Sequence, residues 1–297
     1  MSYAIEIERL HYRAGSFELK DVDLHVPTGS IYGFLGPNGS GKTTTMRLVL
    51  GLLRPLAGRI TVLGDRMPEA GPRILARVGY VPEQPHLDAT LTVRELLTFQ
   101  AAFYATWDRP FAEDLLRRFQ LDEHRLFARL SKGQKAKLMI LLALAQRGEL
   151  LVLDEPTDGL DPVVRRDILT ALLEYVSQRK ATIFISSHLV HELERICDWV
   201  AVMDDGRVVT EVPMEKLKQG TKRLVVAGAP PNVGETPFVV LSREPANGAT
   251  ERWIVGKWEP DMTSFFEGVG ASLVDVIDLD LEDGFVELLR SSRASRG

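Results

Sequence analysis

The sequence predicts an α/β fold: a largely parallel sheet with helices on both faces, a helical subdomain inserted between its halves, and a small C-terminal α+β domain. Three observations carry this. Short apolar runs alternate with stretches of helical period, which demands crossover connections and hence parallel strands. Between about residues 90 and 147 the alternation gives way to a block that reads as helical throughout. From about Thr221 the loops become rich in Pro, Gly and Asn. The 297 residues, 45% hydrophobic and 26% charged, suffice for a full core and suggest two domains, placed at 1–218 and 221–297.

Ala4–Leu10 and Phe17–Val26 alternate apolar and polar residues, as half-buried strands do, and Ser30–Leu35 is a more continuous apolar run ending in a glycine-rich turn. A helix is expected over Thr43–Leu52, with short strands at Arg59–Leu63 and Val78–Val81. In the helical block, Thr92-Val-Arg-Glu95 reads as a capping box opening one helix, and Asp108 with Pro110 just after it opens a second. A third runs from about Gly133 to Gln146. The aromatic residues Phe99, Phe103, Trp107 and Phe111 of this block are expected in the core. Alternation then resumes with strand Leu150–Leu153, helix Pro162–Ser177, strand Ala181–Ser186, helix Leu189–Asp198 and strand Val200–Met203. In the C-terminal domain, strands are expected at Leu224–Val226, Phe238–Leu241, Trp253–Val255 and Leu273–Leu279, with helices near Asp261–Gly268 and Glu282–Arg290.

Composition excludes several classes. The longest apolar run, Leu138–Ala145, has eight residues, whereas a spanning helix needs about 20. The start, MSYAIEIERL, does not read as a signal peptide. A single cysteine, Cys197, cannot form an internal disulfide and suits a reducing compartment. The net charge of −5, with both signs interspersed and no long basic block, argues against a nucleic-acid partner.

Gly36-Pro-Asn38-Gly39-Ser40-Gly41-Lys42-Thr43, followed by Thr44, matches G-x-x-x-x-G-K-[ST] and lies between a strand and a helix. In that context successive backbone N–H groups wrap a β-phosphate and the helix N-terminus adds its positive end. Lys42 would reach the β- and γ-phosphates, and the Thr43 hydroxyl is placed to ligate Mg²⁺. The apolar strand Leu150–Leu153 ends in Asp154-Glu155. A strand beside the phosphate loop would deliver Asp154 to the Mg²⁺ shell and set Glu155 to hold or deprotonate the attacking water.

Three further segments complete a series: Leu130-Ser131-Lys132-Gly133-Gln134 before the acidic pair, Asp158-Gly-Leu-Asp161 just after it, and His188 at the end of the next strand. Their order and spacing resemble the ATP-binding subunits of ABC transporters, over residues 1 to about 215. The resemblance implies a P-loop NTPase of the ABC ATPase type that hydrolyses ATP with Mg²⁺, two chains sandwiching two nucleotides. By the same resemblance, Ser131, Gly133 and Gln134 would serve the γ-phosphate held by the opposite chain, and His188 would bond the γ-phosphate and Glu155. Asp161 would link the two composite sites. Tyr12, 24 residues before Gly36, matches the aromatic residue that stacks on adenine.

Two positions depart from the family pattern. Lys132 stands where the signature usually has glycine, and it is expected to project away from the phosphate. Tyr80-Val-Pro-Glu83-Gln84 puts Glu83 where a glutamine usually approaches the metal; either Glu83 or Gln84 could do so, and Glu83 is favoured. These substitutions, and the ending Leu279-Asp-Leu-Glu-Asp-Gly-Phe285, resemble drug, antibiotic and lipid exporters. The implied partners are a second ATPase subunit, identical or not, and a separately encoded transmembrane permease on whose cytoplasmic side the chain would sit. Alternatives are an importer subunit or a soluble ABC ATPase of translation or DNA repair. A single cassette, with 86 residues and no sustained heptads between phosphate loop and signature, argues against the soluble class.

Overall fold

The computed structural model describes residues 2–230, 233–246 and 249–294, and the chain divides into two compact units. The first holds the described residues through Leu189 together with Ile196–Val208; the second holds Val190–Arg195 and the described residues from Val209 onward.

In the first unit, β1 (Tyr3–Ala14), β2 (Phe17–Pro27) and β3 (Ile31–Leu35) precede the phosphate loop and α1 (Lys42–Val49). Then come β4 (Ala57–Val62), β5 (Asp65–Met67), α2 (Gly71–Leu75) and β6 (Val78–Val81). β1 pairs antiparallel with both β2 and β4, giving a separate sheet of order β2-β1-β4-β5. The alternating pattern read from the sequence is the signature of this sheet's one buried face. Ile5, Ile7 and Leu24 share a core with Met46 and Val49 of α1 and with Tyr32 and Phe34 of β3.

The helical block contains α3 (Val93–Ala101), α4 (Arg109–Arg118) and α5 (Lys132–Ala145). Thr92 and Glu95 form the expected capping box, and Asp108 caps α4 by accepting from Phe111 N–H at 2.9 Å. The eight-residue apolar run Leu138–Ala145 is buried on every side of α5. Phe99 and Phe103, expected in the core, are instead 57% and 67% exposed and packed edge to face on each other at 5.0 Å. The reason is local: α3 turns Val93 and Leu96 inward and ends at Ala101, so the aromatic spacing does not stay on the buried face.

After this block follow β7 (Leu150–Leu153), α6 (Pro162–Arg179), β8 (Thr182–Ser187), β9 (Trp199–Asp204) and β10 (Arg207–Pro213), which runs on into the second unit. The central sheet has the order β10-β9-β3-β8-β7-β6, with β9, β3, β8, β7 and β6 parallel. Because both faces are covered, β3 and β7 are buried at every position, as their unbroken apolar runs require. The C-terminal ends of the parallel strands share one edge, where open α/β sheets bind ligands. The helix expected over Leu189–Asp198 is limited to Val190–Leu193. Asp198 is engaged elsewhere: its N–H donates to Ile31 O and its carboxylate accepts from Ile31 N–H, both at 2.8 Å.

The second unit comprises α7 (Val190–Leu193), α8 (Met214–Gly220), β11 (Lys222–Ala227), β12 (Val239–Pro245), β13 (Thr250–Gly256), α9 (Ser264–Gly268), β14 (Ser272–Asp278) and α10 (Leu281–Ala294). Its sheet is antiparallel, order β12-β13-β11-β14. Leu224, Val226, Trp253 and Val255 point to one face and pack with Phe238, Trp258 and Phe266 in a small aromatic core.

Candidate active site

The phosphate loop is pressed into place by backbone that only glycine permits. A Cβ on Gly36 would lie 2.3 Å from the Met203 carbonyl oxygen. Gly41 caps α1 at φ 116°, where any side chain would collide with Phe17, Leu19 and Met203. Asn38 and Gly39 form the exposed crest, and Thr44 is half-buried in the first turn of α1. The Ser40 hydroxyl is buried and has no hydrogen-bond partner, so a phosphate oxygen would satisfy it. Lys42, 5% exposed, donates to the carbonyls of Gly36 at 2.7 Å and Pro37 at 3.3 Å.

β7 is not directly beside the phosphate-loop strand, as the sequence suggested; β8 lies between them. Asp154 nevertheless meets Thr43: its Oδ1 accepts from Thr43 Oγ1 at 3.1 Å and from Ser186 Oγ at 2.8 Å. Ser186, at the end of β8, is therefore a site residue that the motifs did not name. Its signal was two serines closing an apolar strand just before His188, since fully buried hydroxyls need partners. The same Ser186 oxygen accepts the Glu155 N–H at 2.9 Å. Asp154 Oδ2 is buried and unpartnered, which suits a cation ligand.

Among the described residues no three His, Cys, Asp or Glu side chains converge on a metal position. The donors at hand are Thr43 and Asp154, a set that suits Mg²⁺, which keeps waters and shares substrate phosphates. Glu83 and Gln84 are exposed, two and three residues past Val81, whose carbonyl accepts the Asp154 N–H at 2.8 Å. The structure brings neither side chain into contact with Asp154. Burial, with the Asp154 charge adding to it, pushes the nearby Tyr80 phenol up from its ordinary value.

Glu155 holds a left-handed backbone, φ 47°, a conformation that costs a non-glycine residue about 1–2 kcal/mol. Its carboxylate is 9% exposed and joins two partners. Oε1 lies 3.2 Å from Lys42 Nζ; Oε2 accepts from His188 N–H at 3.3 Å and lies 3.0 Å from His188 Nδ1. Nδ1 is the ring nitrogen turned to Glu155, and Nε2 faces away from it. Lys42, Glu155 and His188 thus form one continuous polar row.

Tyr12 is half-buried in β1 opposite Leu19, the side chain beneath Gly41. Ser131 caps α5, with Gln134 closing the box: Gln134 N–H donates to Ser131 Oγ at 3.2 Å and Ser131 N–H to Gln134 Oε1 at 3.0 Å. Gly133 lies close under Val164, where a Cβ would sit 3.1 Å from a valine methyl. Asp161 caps α6, accepting from Val163 and Val164 N–H at 3.0 Å. Ser131 to Gln134 and Gly159 to Asp161 line one cavity of about 380 Å³.

The sequence pattern of the ABC transporter family matches residues 19–158. The chain is 36% identical, over 75% of its length and 74% of the relative's, to the bacitracin transport ATP-binding protein BcrA of Bacillus licheniformis. It is 41% identical, over 63% of its length and 62% of the relative's, to the Nod factor export ATP-binding protein I of Burkholderia orbicola. Among solved structures, an ATP-binding subunit of an ABC transporter superposes with a TM-score of 0.66 at 30% identity, over 73% of this chain and 92% of that one. The fold also matches a dimeric post-hydrolysis ATP-binding cassette bound to ADP and Pi, with a TM-score of 0.63 at 22% identity, over 71% of this chain and 98% of that one.

Proposed function

The chain belongs to the ABC transporter family as an ATP-binding subunit that hydrolyses ATP, and from that premise we propose that it powers export through a separate membrane permease, two ATPase subunits closing around two Mg·ATP. The observation that supports ATP hydrolysis at this site is the row Lys42–Glu155–His188 beside Thr43–Asp154 at the C-terminal edge of the parallel strands.

The loop N–H groups and Lys42 bind the phosphates, and Tyr12 stacks on the base. Thr43 and Asp154 would hold Mg²⁺, with Glu83 approaching from its loop; the ion supplies charge neutralisation at the β- and γ-phosphates. Phosphate binding draws Lys42 from Glu155 and frees one carboxylate oxygen to take a proton from the attacking water. His188, oriented by Glu155 at Nδ1, turns Nε2 to the γ-phosphate, whose oxygens it can bond only as an N–H donor. Ser131, Gly133 and Gln134 face the nucleotide of the other subunit and Asp161 joins the two sites, so hydrolysis needs both chains. Residues 1–218 form the ATPase domain and 221–297 an accessory domain.

Export is supported by relatives whose names describe bacitracin transport and Nod factor export. No helix among the described residues is long and apolar enough to cross a membrane, and the proposal places the transport path in a separate permease. The exposed pair Phe99–Phe103 is the apolar surface on which that permease docks, at the cytoplasmic face of the membrane. A tagged full chain should co-purify from detergent-solubilised membranes with one multi-span protein. Phe99→Ser with Phe103→Ser should abolish this while ATP binding persists. Recovery with ribosomes or DNA, and with no membrane protein, would contradict the proposal.

A further inference from the structure

The turn that joins β9 to β10 packs against the phosphate loop and holds both of its ends. β9 pairs with β3 so that Val202 lies beside Leu35, the last residue before the loop. The next residue, Met203, meets Gly36 with its backbone and Gly41 with its side chain. Its carbonyl oxygen fills the space a Cβ on Gly36 would need, and its Cε lies 2.9 Å from where a Cβ on Gly41 would be. Met203 is fully buried, and its sulfur is 3.9 Å from the Thr45 hydroxyl, which donates to the Gly41 carbonyl at 3.0 Å. Three residues on, Gly206 N–H donates to the Ser40 carbonyl at 2.9 Å, and the Gly206 carbonyl accepts from Lys20 N–H of β2 at 3.0 Å.

The bond to Ser40 has a directional consequence. A trans peptide is planar, so its C=O and the N–H that follows point opposite ways. Holding the Ser40 carbonyl on Gly206 therefore holds the Gly41 N–H pointing away from Gly206. We infer that the Met203–Gly206 turn positions the phosphate loop for nucleotide, Gly206 aiming the Gly41 N–H at the phosphate and Met203 supporting that glycine from beneath. This rests on the phosphate-binding role of the loop proposed above and adds two positioning residues to it. Gly206 has φ 72°, and a Cβ there would lie 1.9 Å from the Glu18 carbonyl oxygen. Only glycine lets the turn lie against β2 and the phosphate loop at once.

A side chain at position 206 pushes the turn off its neighbours. Once the Gly206 N–H leaves Ser40, the Ser40–Gly41 peptide can rotate, and the Gly41 N–H is no longer aimed in advance. A hydrogen bond to a charged group is worth roughly 10–10² in affinity, so Gly206→Ala should weaken Mg·ADP binding by about tenfold or more. Met203→Ala leaves the Gly41 backbone unsupported and should cause a smaller loss. Met203→Leu, which nearly conserves volume, should restore affinity.

Calorimetric titration of the full chain with Mg·ADP, well below the unfolding temperature of each variant, tests this. The set is Gly206→Ala, Met203→Ala, Met203→Leu and Lys42→Ala, with Leu172→Ala as a core truncation in α6. The expected pattern is weaker binding in Gly206→Ala and Met203→Ala, recovery in Met203→Leu, and wild-type affinity in Leu172→Ala despite its lower unfolding temperature. Wild-type affinity in a folded Gly206→Ala overturns the inference. If that variant does not fold, Met203→Ala decides, and wild-type affinity there overturns it equally. A loss of the same size in Leu172→Ala also overturns it, because affinity would then follow general stability. Lys42→Ala separates the two levels: if it binds Mg·ADP like wild type, the phosphate site itself is misplaced, whatever Gly206 does.

Discussion

Ser186 ties the Asp154 carboxylate and the Glu155 backbone together through one oxygen, donating to Asp154 and accepting the Glu155 N–H. Ser186→Ala removes the donor and leaves a buried N–H without its partner, a change worth about 1–3 kcal/mol. The variant should unfold at lower urea and need more Mg²⁺ for half-maximal ATPase, since Asp154 loses one of its two fixing bonds. An unchanged urea midpoint and Mg²⁺ dependence would show that Ser186 does not organise the pair. At this scale the sequence was informative where chemistry demands a fixed spacing. Lys42, Thr43, Asp154, Glu155 and His188 could be picked out from their motifs, whereas Ser186 has no motif and is defined by which strand β8 lies between. The strained φ of Glu155 was equally invisible, because it follows from the turn that leads out of β7.

Among the elements, α4 is tied to the end of α5 by a pair that depends on charge. Asp108 caps α4 and also receives two hydrogen bonds from Arg147, at 2.9 and 2.7 Å, while that guanidinium stacks on Phe111 at 3.8 Å. The Phe111 N–H, and then Arg147, hold the Asp108 carboxyl below the ordinary aspartate range. A carboxyl depressed in the folded state stabilises fully above its unfolded pKa of about 3.9 and loses that contribution as pH falls through the folded value. Asp108→Asn keeps a competent cap but drops the charge, so it should cost about 1 kcal/mol at pH 7. The difference from wild type should shrink below pH about 3.9. A difference that is constant with pH, measured by urea unfolding, would contradict the ion-pair role. The caps of α3 and α4 were legible because they are local, three-residue arrangements. The exposure of Phe99 and Phe103 was not, since it depends on where α3 stops. The elements β5 and α2, three and five residues long, are too short to show a period.

For the whole molecule, the sequence located the change of character near Thr221, and the second unit does have its own sheet and aromatic core. It did not show that Val190–Arg195 packs with that unit, a long-range matter that periodicity cannot carry. Nor did it separate the antiparallel β2-β1-β4-β5 sheet from the parallel one, because alternation marks a half-buried strand without naming its partner. Above the single chain, the features that bear on assembly are Ser131 and Gly133 at the open end of α5, lining a cavity with Asp161. They lie in a sequence segment apart from Lys42 and Glu155, and in the function proposed above a second copy brings them to the nucleotide. Glu155→Gln keeps the size of the side chain and removes the base, so hydrolysis should fall by about 10²–10⁴ while Mg·ATP remains bound. The most direct measurement is sedimentation of this variant with and without Mg·ATP over a range of protein concentrations. Nucleotide should drive it to a dimer that dissociates when Ser131→Arg is added; a variant that binds ATP yet stays monomeric at every concentration would contradict the shared site.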